Sequence, residues 1–260
     1  MKKLFTALFL LLGILISAKA QYTTLNAHSH NDYEQKTPFL LAYNANFGSI
    51  EADIWAVNGE LFVAHDSLGI TRERTLDALY LQPIVKLLRK NGGKAWGDHS
   101  STFQLMIDLK TKVDPTLPLL VELLKKYPDV FNSDGNKNAI SIVITGNRPA
   151  PSDFNKFPTW ILFDGNVTLK YDVRQLKRVA LYSENLENFS KWKGKMVMDL
   201  EEEKKLVQII DSVHGLNKKI RFWNAPDTAF AWRTLMRLKV DYINTDHIQD
   251  LATYLENYKN

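Results

Sequence analysis

The run Ser49-Ile50-Glu51-Ala52-Asp53 ends an apolar stretch with two carboxylates one residue apart. Alternate side chains of a strand share a face, so Glu51 and Asp53 would stand about 7 Å apart on one side of it. Anionic groups placed this way repel unless a cation sits between them. Oxygen donors of this kind suit a hard ion, Mg2+ or Ca2+. A third acid follows in Leu105-Met106-Ile107-Asp108-Leu109-Lys110, where Asp108 and Lys110 share a face at the end of another apolar run. An isolated Glu-x-Asp is more often a structural ion pair. Buried carboxylates need partners, however, and one lysine does not balance three acids. Glu51, Asp53 and Asp108 are therefore the candidate ligands of one divalent cation.

Histidines supply the rest of the chemistry. His65 arrives fourteen positions after Glu51 and precedes Asp66, which is expected to fix its tautomer. His28 and His30, two apart, face the same way. Displacement at a phosphodiester needs a base to deprotonate the nucleophile and an acid to protonate the leaving alkoxide. Two imidazoles on opposite sides of the phosphate provide both near neutral pH. The cation and Lys110 would neutralise the non-bridging oxygens. The candidate catalytic residues are His30, His65 and His28, with His28 and His30 as alternatives for one role. Lys110, Trp223 and Arg221 are candidate substrate-binding residues, and Tyr33 could line the same mouth. Arg148 follows a strand end in Thr145-Gly146-Asn147-Arg148-Pro149 and could meet an anionic group or simply be solvated. His99 and His214, in or beside loops, are read as structural.

Short apolar or β-branched runs alternate with helical patterns and must position these side chains. Strands are expected at 25–30, 49–55, 60–64, 103–109, 139–145, 160–163, 179–182, 219–223 and 242–244. Helices are expected at 38–46, 76–91, 115–126, 199–214, 226–238 and 247–258, with a short helix or loop at 149–157. Residues 183–194 carry no clear signal. About eight βα units of this total length fit a single-domain (β/α)8 TIM barrel; the runner-up is an open doubly wound sheet. The barrel is favoured because the candidate residues fall at the C-terminal ends of several different strands, where barrel active sites are built.

The chain has 260 residues. Residues 1–20 read as a secretory signal: Lys2 and Lys3, an apolar run from Phe5 to Ile16, and Ala18-Lys19-Ala20 as a small-x-small cleavage site. A domain of residues 21–260 follows, exported to the periplasm or extracellular space. Without Lys2, Lys3 and Lys19, 30 basic residues face 29 acidic ones, so the basic balance of the whole chain is no nucleic-acid signal. There is no cysteine, which excludes disulfides and thiolate metal sites. No stable membrane insertion is expected once the leader is removed, and the protein is expected to be a monomer.

Several motifs together resemble the superfamily of glycerophosphodiester phosphodiesterases and phosphatidylinositol-phospholipase-C-like TIM barrels. Ser-Ile-Glu-Ala-Asp-Ile at 49–54 resembles its metal motif, and Ala-His-Asp at 64–66 its second catalytic histidine. Ile-Asp-Leu-Lys at 107–110 is similar to the third metal ligand and phosphate-side lysine of spider sphingomyelinases D. Ser-His-Asn-Asp-Tyr at 29–33 resembles a phospholipase C motif in which the histidine is catalytic and the asparagine a metal ligand. That likeness adds Asn31 to the implied ligand set. Arg221-Phe222-Trp223-Asn224 and Asn244-Thr245-Asp246 match the late strand ends. The combination is similar to the fungal altered inheritance of mitochondria 6 subgroup. The usual His-Arg-Gly is absent, and Pro-Glu-Asn-Thr is reduced to Pro38-Phe39-Leu40-Leu41. The resemblance implies a metal-dependent phosphodiesterase acting on a glycerophosphodiester or a lipid-like phosphodiester. The alternatives are a zinc amidohydrolase-like or polymerase-histidinol-phosphatase-like metallohydrolase and a non-catalytic lipid- or glycan-binding barrel.

Overall fold

The computed structural model describes residues 22–258; the leader expected over 1–20 lies outside them. Eight strands run parallel, in the spatial order β8-β7-β6-β5-β4-β2-β1-β9. They are β1 (Ala27–Ser29), β2 (Ser49–Val57), β4 (Gln104–Leu109), β5 (Ser141–Gly146), β6 (Ile161–Gly165), β7 (Val179–Asn185), β8 (Lys219–Trp223) and β9 (Ile243–Thr245). A parallel bridge between Arg221 and Tyr242 brings the two ends of this order together, so the barrel is nearly closed. β3 (Glu60–Val63) stands outside the series, paired antiparallel to the overhanging end of β2 through the Asn58-Gly59 turn. Helices α1 (Leu40–Asn44), α2 (Gln82–Lys90), α3 (Val113–Leu124), α4 (Pro128–Phe131), α5 (Val173–Arg178), α6 (Leu200–Gly215), α7 (Ala229–Arg237) and α8 (Ile248–Asn257) fill the connections. The architecture is the (β/α)8 barrel expected from the sequence, in one domain.

Alternation along the strands builds two cores. Outward residues such as Ile50, Ala52, Ile54, Leu105, Ile107, Ile142 and Ile144 are buried under the helices in one continuous cluster. Inward residues Met106, Val143 and Leu181 meet Tyr242 in a small cluster inside the barrel. Two departures from the expected elements affect the site. β7 runs three residues beyond Tyr182, to Asn185. The first strand is shorter than expected, because Thr24–Asn26 form a 3-10 turn capped by Thr23. α4 and α5 carry too few residues for a periodic signal; α5 starts at a capping box between Asp172 and Gln175.

Candidate active site

The apolar plug and the polar site occupy the same inward face at different heights. Glu51 is level with Met106 and Val143; two residues further on, Asp53 is level with Asp108 and Thr145. Period-2 alternation thus puts Asp108 and Thr145 directly above Met106 and Val143, at the C-terminal rim. Carboxylate oxygens of Glu51, Asp53 and Asp108 all lie within 4.8 Å of one another. Gly146 makes room for them: it has φ +68°, and a Cβ there would collide with Asp108 Oδ1 and come within 2.8 Å of the Leu109 carbonyl.

Two cations already touch this trio. Lys110 Nζ lies 2.9 Å from Asp53 Oδ2 and 3.1 Å from Asp108 Oδ2. Arg221 Nη1 donates to Glu51 Oε2 at 3.0 Å and also contacts His28. Burial alone would raise Glu51, but Arg221 and His28 hold it well below the usual carboxylate range. Asp53 goes the other way, pushed up to about 6 by burial and by the charges of Glu51 and Asp108, against Lys110 and the Tyr33 hydroxyl. Asp108 is also raised: burial outweighs the opposing pull of Lys110, and Glu51 adds to it. Lys110 and Arg221 therefore leave negative charge uncompensated, and a hard divalent cation would relieve it. The donor set fits such an ion. Among the described residues, the group able to hold a metal contains no histidine, which argues against the zinc alternative.

The imidazoles occupy different surroundings. His28 is buried, with Nδ1 2.6 Å from Ser49 Oγ and Nε2 2.8 Å from Glu51 Oε2. Burial and the nearby Arg221 charge lower its pKa to about 3, so it stays neutral. With both nitrogens engaged and no face on the cavity, His28 positions Glu51 and is not placed to exchange protons with a substrate. His30 does line the cavity. Its Nδ1 lies 2.8 Å from Asp246 Oδ1, beyond β9. Burial lowers its pKa, but the Asp246 hydrogen bond and the Glu51 charge outweigh this and the net shift is upward. His65, at the end of β3, lines the same cavity with its side chain 66% exposed.

Tyr33 was expected at the substrate mouth and lies instead beneath it, fully buried. Its hydroxyl is 2.6 Å from Asp53 Oδ2, 2.8 Å from Asn31 Oδ1 and 3.1 Å from His65 Nδ1. Asn31 therefore sits at the edge of the carboxylate group. Asp66 does not orient His65: its carboxylate caps the following 3-10 turn through the amides of Leu68 and Gly69. The partner that can fix the His65 tautomer is Tyr33. Arg221 was expected to bind substrate. It lines the cavity, and its largely buried guanidinium is also tied to Glu51 and, through Nε at 3.1 Å, to Ser183. Lys110 lines the same cavity while pairing with Asp53 and Asp108. Trp223 lines the cavity at the end of β8, as expected, and so does Arg148.

The cavity, about 440 Å3, extends past the acids to Thr145, Asp164, Asn166, Ser183, Glu184 and Asn185. None of these was singled out from the sequence. Asp164 is buried, accepting from Thr145 Oγ1 at 2.9 Å and from the Ser183 amide at 2.8 Å. The available signal was position: each follows an apolar strand run as its first polar residues.

A parallel barrel with an acidic, histidine-flanked cavity at its C-terminal rim places the chain among (β/α)8 proteins that carry their site at the strand ends. The chain belongs to the AIM6-like phosphodiesterase domain family, which its residues 17–156 match. Residues 219–249 match the glycerophosphoryl diester phosphodiesterase family. Similar curated proteins include altered inheritance of mitochondria protein 6 of Kluyveromyces lactis, 26% identical over 88% of this chain and 72% of that protein. The Arthroderma benhamiae homolog is also 26% identical, over 87% of this chain and 82% of its own length. Among solved structures, a glycerophosphodiester phosphodiesterase from Parabacteroides distasonis shares the fold. It aligns with a TM-score of 0.53 and 12% identity over 89% of this chain and 96% of that one.

Proposed function

We propose that the protein is an exported, metal-dependent phosphoric diester hydrolase acting on a glycerophosphodiester or a lipid-like phosphodiester. The observation that carries this reading is the convergence of Glu51, Asp53 and Asp108 within 4.8 Å in a cavity also lined by His30 and His65. Glu51, Asp53 and Asp108, with Asn31 beside them, would hold one Mg2+ or Ca2+. When bound, the ion supplies positive charge against the non-bridging phosphate oxygens. The side chains do the remaining work. His30 is oriented by Asp246 and His65 by Tyr33, each through Nδ1, which leaves each Nε2 for proton transfer. One imidazole takes the nucleophile's proton and the other protonates the departing alkoxide. Asp246 stabilises the protonated form of His30, the form that can donate to the departing alkoxide. Glu51 stays ionised because Arg221 and His28 hold it so. The nucleophile is either water or a hydroxyl of the substrate itself.

The test is hydrolysis of bis(p-nitrophenyl) phosphate and a panel of glycerophosphodiesters and lysophospholipids, with EDTA treatment and Mg2+ or Ca2+ add-back. We expect EDTA to abolish turnover and one of the two ions to restore it. Glu51→Ala and His65→Ala should each lose about 100-fold or more in kcat. Turnover untouched by EDTA and by both substitutions would end the reading. A folded protein that binds the ion but cleaves none of the panel would favour the binding-module alternative.

A further inference from the structure

Apolar exposure is distributed unevenly over this barrel. Among the described residues ten large hydrophobic side chains are exposed, and nine of them sit on the C-terminal rim or in the first turn of the helix that follows it. Only Leu216 lies at the opposite end, after α6. The most exposed are Leu68 at 93%, Val197 at 80%, Met196 at 76% and Val173 at 75%. Leu68 shares a shallow depression with His65 and Asn31, at the edge of the cavity. Met196 and Val197 belong to the β7–α6 connection; Asn185 at the end of β7 and Asn188 at the start of the connection line the cavity. Large apolar side chains on a soluble surface mark a contact site when they gather on one face.

The β7–α6 connection holds its apolar tip outward. Trp192 is buried and donates from Nε1 to the Met196 carbonyl at 2.6 Å; Met198, on the other side of the tip, is buried as well. Gly194 has φ +70°, and a Cβ there would lie 2.6 Å from Pro226 Cβ, so the loop is packed against the β8–α7 connection. Ser190 Oγ and the Lys191 amide both donate to Glu202 at 2.8 Å. These anchors hold the loop with Met196 and Val197 exposed.

Exposed lysines stand beside two of the apolar tips: Lys195 precedes Met196-Val197, and Lys170 follows the exposed Leu169. The acids of the β7–α6 connection are already engaged. Glu187 pairs with Lys193 at 2.6 Å, and Asp199 caps α6. Apolar tips flanked by long cations match a lipid interface, where the stems lie along acyl chains and the ammonium groups reach the headgroups. The tips come from separate loops around an open cavity. A protein seated on all of them would close that cavity, whereas a bilayer would present its headgroups to it. We propose that the C-terminal face docks on an anionic lipid surface, with Met196 and Val197 entering the apolar layer and Lys195 and Lys170 at headgroup level. The docking is independent of the chemistry. Its corollary, that the phosphodiester cleaved is one held in that surface, rests on the reading given above.

The experiment is co-sedimentation of the protein with vesicles of phosphatidylcholine alone and with phosphatidylglycerol added. Light scattering in the absence of lipid and bis(p-nitrophenyl) phosphate turnover are measured in parallel. Met196→Asp combined with Val197→Asp should lower the partition coefficient about tenfold or more, since two side chains lose their apolar transfer. Lys195→Glu combined with Lys170→Glu should remove most of the gain given by phosphatidylglycerol. Both variants should keep wild-type turnover of the soluble substrate. Wild-type protein that does not sediment with either vesicle, or variants that sediment equally well, would overturn the docking. A concentration-dependent dimer dissolved by the Met196/Val197 change would also overturn it, making the occupant a second copy. Vesicle binding without any phosphodiester turnover would leave the docking standing and sink only the enzymatic reading.

Discussion

Tyr33 holds three polar groups with one hydroxyl. A phenol has one proton to donate, and Asp53 Oδ2, at 2.6 Å, is the stronger acceptor. The lone pairs of Oη are then free to accept from His65 Nδ1–H at 3.1 Å, which assigns the tautomer with Nε2 unprotonated and facing the cavity. Asn31 Oδ1, at 2.8 Å, shares the same donor. Tyr33→Phe preserves the buried ring and deletes the hydroxyl. We expect a loss of about 10- to 100-fold in kcat, as for removal of partners that orient ligands, with a stability cost of about 1–2 kcal/mol for the polar groups left unpaired. Steady-state kinetics together with urea unfolding separate the two effects. Wild-type kcat in Tyr33→Phe would show that His65 is oriented by something else. Sequence reasoning placed His30, His65, Glu51, Asp53 and Asp108 around one cavity because each stands at the end of an apolar run. It misplaced Tyr33, which lies beneath the cavity, and did not record that Arg221, which lines the cavity, pairs with Glu51, since which side chain stands opposite another is written in no local pattern.

At the scale of elements, Asp164 ties three strands at the rim: it sits at the end of β6 and accepts from Thr145 on β5 and Ser183 on β7. Burial pushes its carboxyl up to about 7, against the opposing charges of Arg148 and Arg221 and the two hydrogen bonds. A folded-state value above the unfolded one means that folded protein binds this proton more tightly. The contribution to stability is therefore full below about pH 4 and is lost as pH rises through about 7. Asp164→Asn carries no such titration, and its amide can still accept from the Ser183 amide while Thr145 Oγ1 turns to accept. Relative to wild type, the variant should gain stability between pH 4 and pH 8, by an amount on the order of a few kcal/mol. Urea midpoints at the two pH values measure it, and an unchanged difference between the proteins would refute the assignment. The same strands show why part of the site was illegible. β7 reads Val-Ala-Leu-Tyr before turning to Ser-Glu-Asn, and a polar strand end that lines a cavity has the composition of a loop. The apolar halves of β2, β4, β5 and β8 were legible because both faces of a parallel strand are buried there.

For the molecule as a whole, the weakest closure lies between β8 and β9. Every other neighbouring pair in the barrel shares two or more paired positions, whereas β8 meets the last strand through the single Arg221–Tyr242 bridge. The Arg221 side chain compensates from the inside. It reaches across the seam from β8 to Glu51 on β2, at 3.0 Å, and contacts His28 on β1, so one guanidinium links β8 to the strands beyond β9. Removing one partner of a buried ion pair leaves the other charge uncompensated, which costs about 3–5 kcal/mol. Arg221→Met keeps an unbranched apolar stem and deletes the charge. We expect a loss of that size in urea unfolding. Hydrogen exchange should accelerate first at the amides of β8 and β9, while β4 and β5, paired on both sides, change only with global unfolding. If exchange rises uniformly over the barrel, the arginine contributes ordinary stability and the seam is closed by the surrounding helices. If β8 and β9 open first, a residue read from the sequence as a substrate contact is the clasp that keeps the rim, and the acids mounted on it, in register.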